Sequence, residues 1–530
     1  MRRPWVLTPA GPVLWQSHQF IHASLTKLFE EIPCRIEKLW FPNPRVSKAW
    51  IEEARKSASC FVLLPSASES LEFIAQLRRE HDLRVPLVMM IAGDFVRGGA
   101  QIFARKSLLW KSDRFVTHSM AEYELVRDAL PQHEGIHLIR LPVSRSEMFS
   151  VSAKEKKRLR QKLGIKSREK FLVYAGQVTP QKNVHGLIRA VTELKRRGHR
   201  FKLMIVGGLE ARGSATGLVQ TPHWYGRFLS ELVCKFELEN EVKFTGRLSR
   251  SELQEYFSAC DAHISLTLFD SEDFGYSAAE GISCGAPAIL THWGGSRDFI
   301  QAGAALGVPV RITKNGPRAD ISAVPSLIEK VLRNNFSLRK RALDFAASHL
   351  QGDKILSEWR DLFSRTFAEM PTPGISVAQP YMDYLFEHAS LFSEGRVPTR
   401  TDPLVRRLLA ARNRTERPEL FLFETPDHPL ALRINEIYAG QGRVSISKDA
   451  EAYLHPFFSI ASAGFDDPLI ARRSVPLDAR EKRTLIRWFS KPVRWKKLRG
   501  HPLAQRLEAQ GAILISESKR ARRKICKDYP

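Results

Sequence analysis

The stretch Phe269-Asp-Ser-Glu-Asp-Phe-Gly-Tyr-Ser-Ala-Ala-Glu-Gly-Ile-Ser-Cys-Gly-Ala-Pro-Ala-Ile-Leu-Thr-His-Trp-Gly-Gly-Ser-Arg-Asp298 decides how this chain folds. The apolar run Ala262–Leu266 before it reads as a strand, and the loop through Gly275 leads into an Ala-rich helix from about Ser277. The backbone amides of Tyr276 and Ser277 then stand at a helix N-terminus, where free donors and the positive end of the helix dipole suit a diphosphate. Gly285 ends the helix, Pro287 prevents its continuation, and Ala288–Thr291 forms the next strand before the Gly294-Gly295 turn. Glu272 falls on the loop and Glu280 about one turn inside the helix, so two carboxylates bracket one ligand. The first can face a sugar, and the second can accept hydrogen bonds from ribose hydroxyls.

Upstream, strands and amphipathic helices alternate: Phe171–Ala175, a helix near Val184–Arg197, Lys202–Val206, a helix near Tyr225–Phe236, Val242–Thr245 and a helix near Arg250–Ala259. The same alternation runs from Trp5 to about Phe149, through Trp5–Thr8, Phe61–Leu64, Leu87–Ile91, Phe115–Thr117 and His137–Leu141 with helical patterns between them. Such alternation predicts parallel sheets covered on both faces. Two successive Rossmann-like halves in one chain make a cleft, because ligands of open α/β sheets bind outside the carboxyl ends of the strands. The Lys-, Arg- and Ser-rich stretch Val151–Arg168 reads as the linker between the halves. Pro371-Thr-Pro-Gly marks a second boundary. The expected domains are 1–150, 168–368 and a C-terminal extension over 371–530.

With these residues in register, the sequence resembles the retaining glycosyltransferases of the glycogen-synthase-like GT-B class, the glycosyl transferases group 1, or family 4. The signature is a Glu, seven residues, then a second Glu, with Phe-Gly inside the interval, a small-Gly-x-Pro exit and then Gly-Gly. Here these are Glu272, Phe274, Gly275, Glu280, Cys284-Gly285-Ala286-Pro287 and Gly294-Gly295. A second matching segment runs from Phe171 through Gly176, Gln177 and Lys182. The resemblance implies a fold of two facing Rossmann-like domains and transfer of a sugar, with retention, from a nucleotide sugar to a hydroxyl acceptor, a glycan or lipid-linked molecule. It implies Glu272 and Lys182 as catalytic residues. Gly176, Gln177, Phe274, Gly275, Tyr276, Ser277, Glu280, Gly11 and Asp94 are implied as substrate-binding. Two positions depart from the family: Gln177 stands where an Arg faces the donor diphosphate, and Gly93-Asp94 where a His is followed by Asp. The rival readings are a non-catalytic sugar-nucleotide or glycan-binding protein of the same fold and a nucleotide-sugar epimerase.

The 530 residues exceed what one hydrophobic core supports. The six cysteines form no CxxC, so neither a zinc site nor a disulfide framework is indicated, and a reducing cytoplasm is expected. No Asp-x-Asp occurs near the site, and the resemblance likewise implies catalysis without a metal or other cofactor. Walker-loop and Ser-His-Asp readings have no residues to support them. No run approaches the ~20 apolar residues of a membrane-spanning helix.

The chain carries a formal charge of +25. From Ala471 onward 18 Lys and Arg face 5 Asp and Glu, with Trp488 and Trp495 among them. That pattern predicts either a folded α/β or winged-helix-like module, with helices near Ala479–Phe489 and Pro502–Gln510 and a strand at Ala512–Ser516, or a peripheral contact with an anionic membrane. Nucleic acid is the weaker third partner.

Overall fold

The computed structural model describes residues 2–9, 16–39, 45–64, 68–92, 109–179, 182–209, 222–268, 272–313 and 316–364, and in the C-terminal part 451–454, 458–459, 464–465, 477–489, 493–509 and 513–516. The first domain runs β1 (Arg3–Pro9), α1 (Gln16–Phe29), β2 (Arg35–Leu39), α2 (Lys48–Ser57), β3 (Ala58–Leu63), α3 (Ser68–His81), β4 (Leu87–Met90), β5 (Arg114–Thr117), α4 (Met120–Ala129) and β6 (Ile136–Leu138). Its strands form one parallel sheet in the order β2-β1-β3-β4-β5-β6.

The second domain begins earlier than its first strand. It runs α5 (Ala153–Lys162), β7 (Lys170–Ala175), α6 (Val184–Arg196), β8 (Phe201–Val206), α7 (Pro222–Lys235), β9 (Val242–Gly246), α8 (Arg250–Ala259), β10 (Ala262–Ser265), α9 (Tyr276–Ser283), β11 (Ala288–Thr291), α10 (Ser296–Gln301) and β12 (Ala305–Val308). A hairpin, β13 (Val310–Thr313) and β14 (Gly316–Ala319), and the helices α11 (Val324–Arg333), α12 (Asn335–His349) and α13 (Gly352–Ser364) follow. The parallel sheet has the order β12-β11-β10-β7-β8-β9, so the direction of winding reverses between β7 and β10. At that switch point the two adjacent chains leave the sheet in opposite directions and open a crevice above it.

The expected linker over 151–168 is corrected by α5. Ser152 caps this helix, Lys156 Nζ reaches the carbonyl of Cys260 at 2.6 Å, and Arg160 pairs with Asp261 at 3.0 Å. Lys156 and Arg160, which looked like part of a solvated tether, thus hold the end of α8, which makes the helix part of the second domain. The strand β2 and helix α2 also lay outside the sequence reading. β2 is mostly half-buried and charged, so it lacks the apolar run that marks the other strands.

α13 returns to the first domain, where buried Trp359 packs edge-on against Phe29 of α1 with ring centroids 5.0 Å apart. Burying two such rings adds aromatic contact to the junction of the two domains. In the C-terminal extension β15 (Glu451–Leu454) lies between β18 (Val493–Arg494) and β19 (Ile513–Ser516) in an antiparallel sheet, beside a small hairpin of β16 (Phe458–Ser459) and β17 (Gly464–Phe465). Helices α14 (Ala479–Phe489), α15 (Trp495–Leu498) and α16 (Pro502–Ala509) accompany it, with Leu485, Leu498, Leu503, Ala504 and Leu507 buried.

Two fully buried histidines in the two-domain body, His118 after β5 and His263 on β10, are both pushed down to about 4 by burial. Each is neutral in the folded chain and ordinary, near 6.5, when unfolded. Their contribution to stability is therefore complete above pH 6.5 and lost as pH falls from there towards 4. At pH 5 the cost is on the order of 2 kcal/mol per residue. Denaturant unfolding at pH 7.5 and pH 5 is expected to show a loss that His118→Asn and His263→Asn each reduce.

Candidate active site

Both sides of the switch point are built by backbone closeness. After β7, Gly176 N donates to Val206 O at 3.0 Å and Gly207 N to Gly246 O at 2.8 Å, so three strand ends are tied together. A Cβ at Gly207, whose φ is +138°, would sit 1.8 Å from the carbonyl oxygen of Gly176; no other residue fits there. After β10, Gly295 N donates to Glu272 O at 2.8 Å, and a Cβ at Gly295 would lie 1.2 Å from the carbonyl of Asp273. The Gly-Gly pair thus lets the loop bearing Glu272 lie directly on the turn after β11.

On this frame Lys182 and Glu272 meet. The Lys182 ammonium is ion-paired with Glu272 Oε2, and the same oxygen accepts from Thr267 Oγ1 at 3.0 Å. Both partners are mostly covered. Gln177 stands on the loop between them and β7, its carbonyl accepting from Tyr174 Oη at 2.7 Å. α9 opens with Gly275 in the left-handed conformation at its N-cap. The Gly275 carbonyl accepts from Ala278 N and Ala279 N at 2.9 and 3.1 Å, which places the Tyr276 and Ser277 amides in the first turn, where a helix has no partners of its own for them. The side chains of these residues hold the frame: Ser277 Oγ donates to Ala175 O at 2.6 Å and Tyr276 Oη to Pro142 O at 2.9 Å. The Phe274 ring is buried against Tyr276 and Phe299, so the loop presents backbone, not this ring, to a ligand.

Glu280 is buried under α9 and paired with Arg250 at the start of α8. Burial raises its pKa, and the Arg250 charge works against that shift. Arg250 also holds Glu147, from the segment that connects the domains, at 3.0 Å. The sequence reading missed Arg250, and also Arg247, whose side chain lies so close to Gly208 that a Cβ there would be 3.0 Å from Arg247 Nε. Both follow Gly246 at the end of β9, which was the available signal. Gly11 and Asp94, together with Gly93, lie outside the described residues.

The second domain also grips the first beside the site. Ser119 Oγ donates to Asp273 Oδ1 at 2.7 Å, and Met120 N donates to both oxygens of buried Asp298 at 3.1 Å. Arg140 pairs with Asp298 at 2.9 Å. Two carboxylates of one domain therefore sit at the N-terminus of α4 in the other, where the helix dipole favours negative charge. Among the described residues no group of three or more His, Cys, Asp or Glu side chains is placed to hold a metal ion.

Two parallel six-stranded domains facing each other, with a helix start and a Lys–Glu pair at the switch point of the second, define a protein of the GT-B class. The family model of glycosyl transferases group 1 matches residues 155–344, a stretch that spans most of the second domain. The fold agrees with HepE of Anabaena, solved with UDP and glucose, at a TM-score of 0.52 and 15% identity over 69% of this chain and 100% of that one. Sucrose-phosphate synthase of Thermosynechococcus elongatus agrees equally, at 0.52 and 18% identity over 69% and 100%. Among curated relatives, the D-inositol 3-phosphate glycosyltransferase of Stackebrandtia nassauensis is 26% identical over 43% of this chain and 50% of its own. The alpha-monoglucosyldiacylglycerol synthase of Streptococcus pneumoniae is 28% identical over 31% of this chain and 35% of its own. The chain thus spans half or less of the length of these relatives.

Proposed function

We propose that the protein transfers a glycosyl group from a nucleoside diphosphate sugar to a hydroxyl of a glycan or lipid-linked acceptor, with retention of anomeric configuration and without a metal. The meeting of Lys182 and Glu272 beside the first turn of α9 supports this reading most directly. A departing nucleoside diphosphate gains negative charge as the bond from the anomeric carbon to the phosphate oxygen breaks. A fixed ammonium and helix-start amides stabilise that charge without reorganising. The acceptor oxygen forms the new bond on the face that the phosphate leaves, and its proton passes to the departing phosphate oxygen. This route accounts for chemistry at a site where Lys182, Glu272 and backbone donors stand together. Glu272 faces the sugar hydroxyls, Gln177 hydrogen-bonds a phosphate oxygen, and Glu280 holds the ribose.

The test is a panel of uridine, guanosine and adenosine diphosphate sugars screened by thermal shift, followed by NMR of the anomeric proton in the product. A retained anomer formed only with acceptor supports the proposal. Nucleotide binding with no transfer points to a non-catalytic protein, a reading that Gln177 favours because an amide cannot neutralise phosphate. An altered sugar nucleotide in the absence of acceptor points to an epimerase.

Glu280→Ala is expected to weaken free nucleotide binding by about 1–3 kcal/mol, through loss of charged hydrogen bonds to ribose. Arg250→Ala is expected to weaken it too, because Glu280 then keeps its proton more readily without the neighbouring guanidinium. Titration calorimetry with the folded variants checks both, and unchanged affinity in Glu280→Ala removes the ribose assignment.

A further inference from the structure

We propose that the outward face of α14 is a docking surface for an anionic lipid membrane. The assignment concerns binding alone and stands whether or not the cleft transfers sugar.

The charge is concentrated to an unusual degree. The last 60 residues, from Ala471, hold 18 Lys and Arg against 5 Asp and Glu, so 13 of the chain's 25 net positive charges lie there. Among the described residues, part of that charge lies on one face of α14. Leu485 of α14 is fully buried, as are Leu503, Ala504 and Leu507 of α16. Opposite Leu485, the helical period brings Arg480, Arg483 and Arg487 onto one exposed stripe, since residues three, four and seven apart share a face. The acids at the start of the helix are turned to structural work: Asp478 Oδ1 accepts from Glu481 N at 2.7 Å, and Glu481 Oε1 holds Arg506 of α16 at 2.7 Å. Lys497 in α15 and Arg499 just beyond it are exposed as well.

Ile486 identifies the partner. It lies beside this stripe, flanked in sequence by Arg487 and Leu485, and is 60% exposed. A phosphodiester backbone offers an isoleucine nothing, whereas a membrane takes the apolar side chain into the acyl boundary while the arginines meet the head groups. Arginine is suited to that place because its guanidinium is weakly hydrated and forks onto phosphate.

The full chain is expected to sediment with vesicles of phosphatidylcholine containing phosphatidylglycerol, to ignore vesicles of phosphatidylcholine alone, and to be released by high salt. Each basic residue near such a surface strengthens partition by roughly fivefold, so the triple variant Arg480→Glu/Arg483→Glu/Arg487→Glu is expected to bind roughly 100-fold more weakly. Ile486→Ser is expected to weaken binding with no change in charge. Thermal unfolding reports whether the triple variant folds, and the milder pair Arg480→Gln/Arg483→Gln replaces it if it does not. Equal binding to acidic and neutral vesicles, or undiminished binding by the arginine variants, overturns the proposal. Tighter binding to a short DNA duplex than to acidic vesicles, with Ile486→Ser without effect on either, overturns it in favour of nucleic acid.

Discussion

Lys182→Ala is expected to lower the transfer rate by a factor on the order of 10²–10³ while the protein stays folded, the effect of losing one fixed group that stabilises charge in the transition state. Lys182 is held where its ammonium meets Glu272 Oε2, and Thr267 steadies the same oxygen, so the cation is positioned before any ligand arrives. Removing it takes away the charge that a departing diphosphate needs and leaves the Glu272 carboxylate without its ion-pair partner. The loss is expected in kcat more than in the binding of free nucleotide, because the need for the charge grows as the bond breaks. Comparing Lys182→Ala, Glu272→Ala and the double variant in a kinetic cycle separates the two roles. Residues that act as one unit give a double loss close to the larger single one. A rate within a few-fold of the parent for Lys182→Ala would falsify the leaving-group assignment.

The second large effect is structural. Asp298→Ala is expected to lower stability by about 3 kcal/mol, because truncating one partner of a buried charge pair leaves the other uncompensated. Asp298 accepts from Met120 N with both oxygens and from Arg140, so one substitution takes the acceptor from the first amide of α4, whose N-cap Ser119 stays in place, and frees a guanidinium at the domain junction. Burial raises the Asp298 pKa, and Arg140 and the Met120 amide oppose that shift. The carboxylate thus depends on these contacts to remain charged. Asp298→Asn keeps an acceptor for the Met120 amide but not the charge, and an intermediate loss is expected. Denaturant unfolding measures the change, and small-angle scattering shows whether the domains separate. An unfolding midpoint unchanged in Asp298→Ala would show that the junction is held by its apolar contacts alone.

Asp273 lies on the loop that carries Glu272, and Asp298 lies on α10 directly after the Gly294-Gly295 turn against which that loop rests. Ser119 of the first domain binds Asp273, the residue next to Glu272, and the Gly294-Gly295 turn carries the chain on to Asp298. Domain closure and the position of the Glu272 carboxylate are therefore coupled through covalent neighbours. This gives the junction a reason to be polar: a wholly apolar contact close the cleft equally well, but it fixes no register between α4 and the Glu272 loop.

By itself the sequence determined the alternation of strands and helices, the break at Gly285 and Pro287, and a helix start near Ser277, because each depends on periodicity or on the backbone chemistry of residues close along the chain. It also located the two carboxylates, since an eight-residue interval across a loop and one helical turn is local geometry. Only the tertiary structure decided that Lys182 meets Glu272 across 90 positions, that Arg250 neutralises Glu280 across 30, and that Asp298 accepts from the first amide of a helix 178 positions earlier. It also decided that the charged stretch over 153–162 is a packed helix and that Phe274 is core. Local patterns say which face of an element is apolar; which charges become partners depends on how the elements assemble, and a surface lysine and a paired one have the same sequence signature.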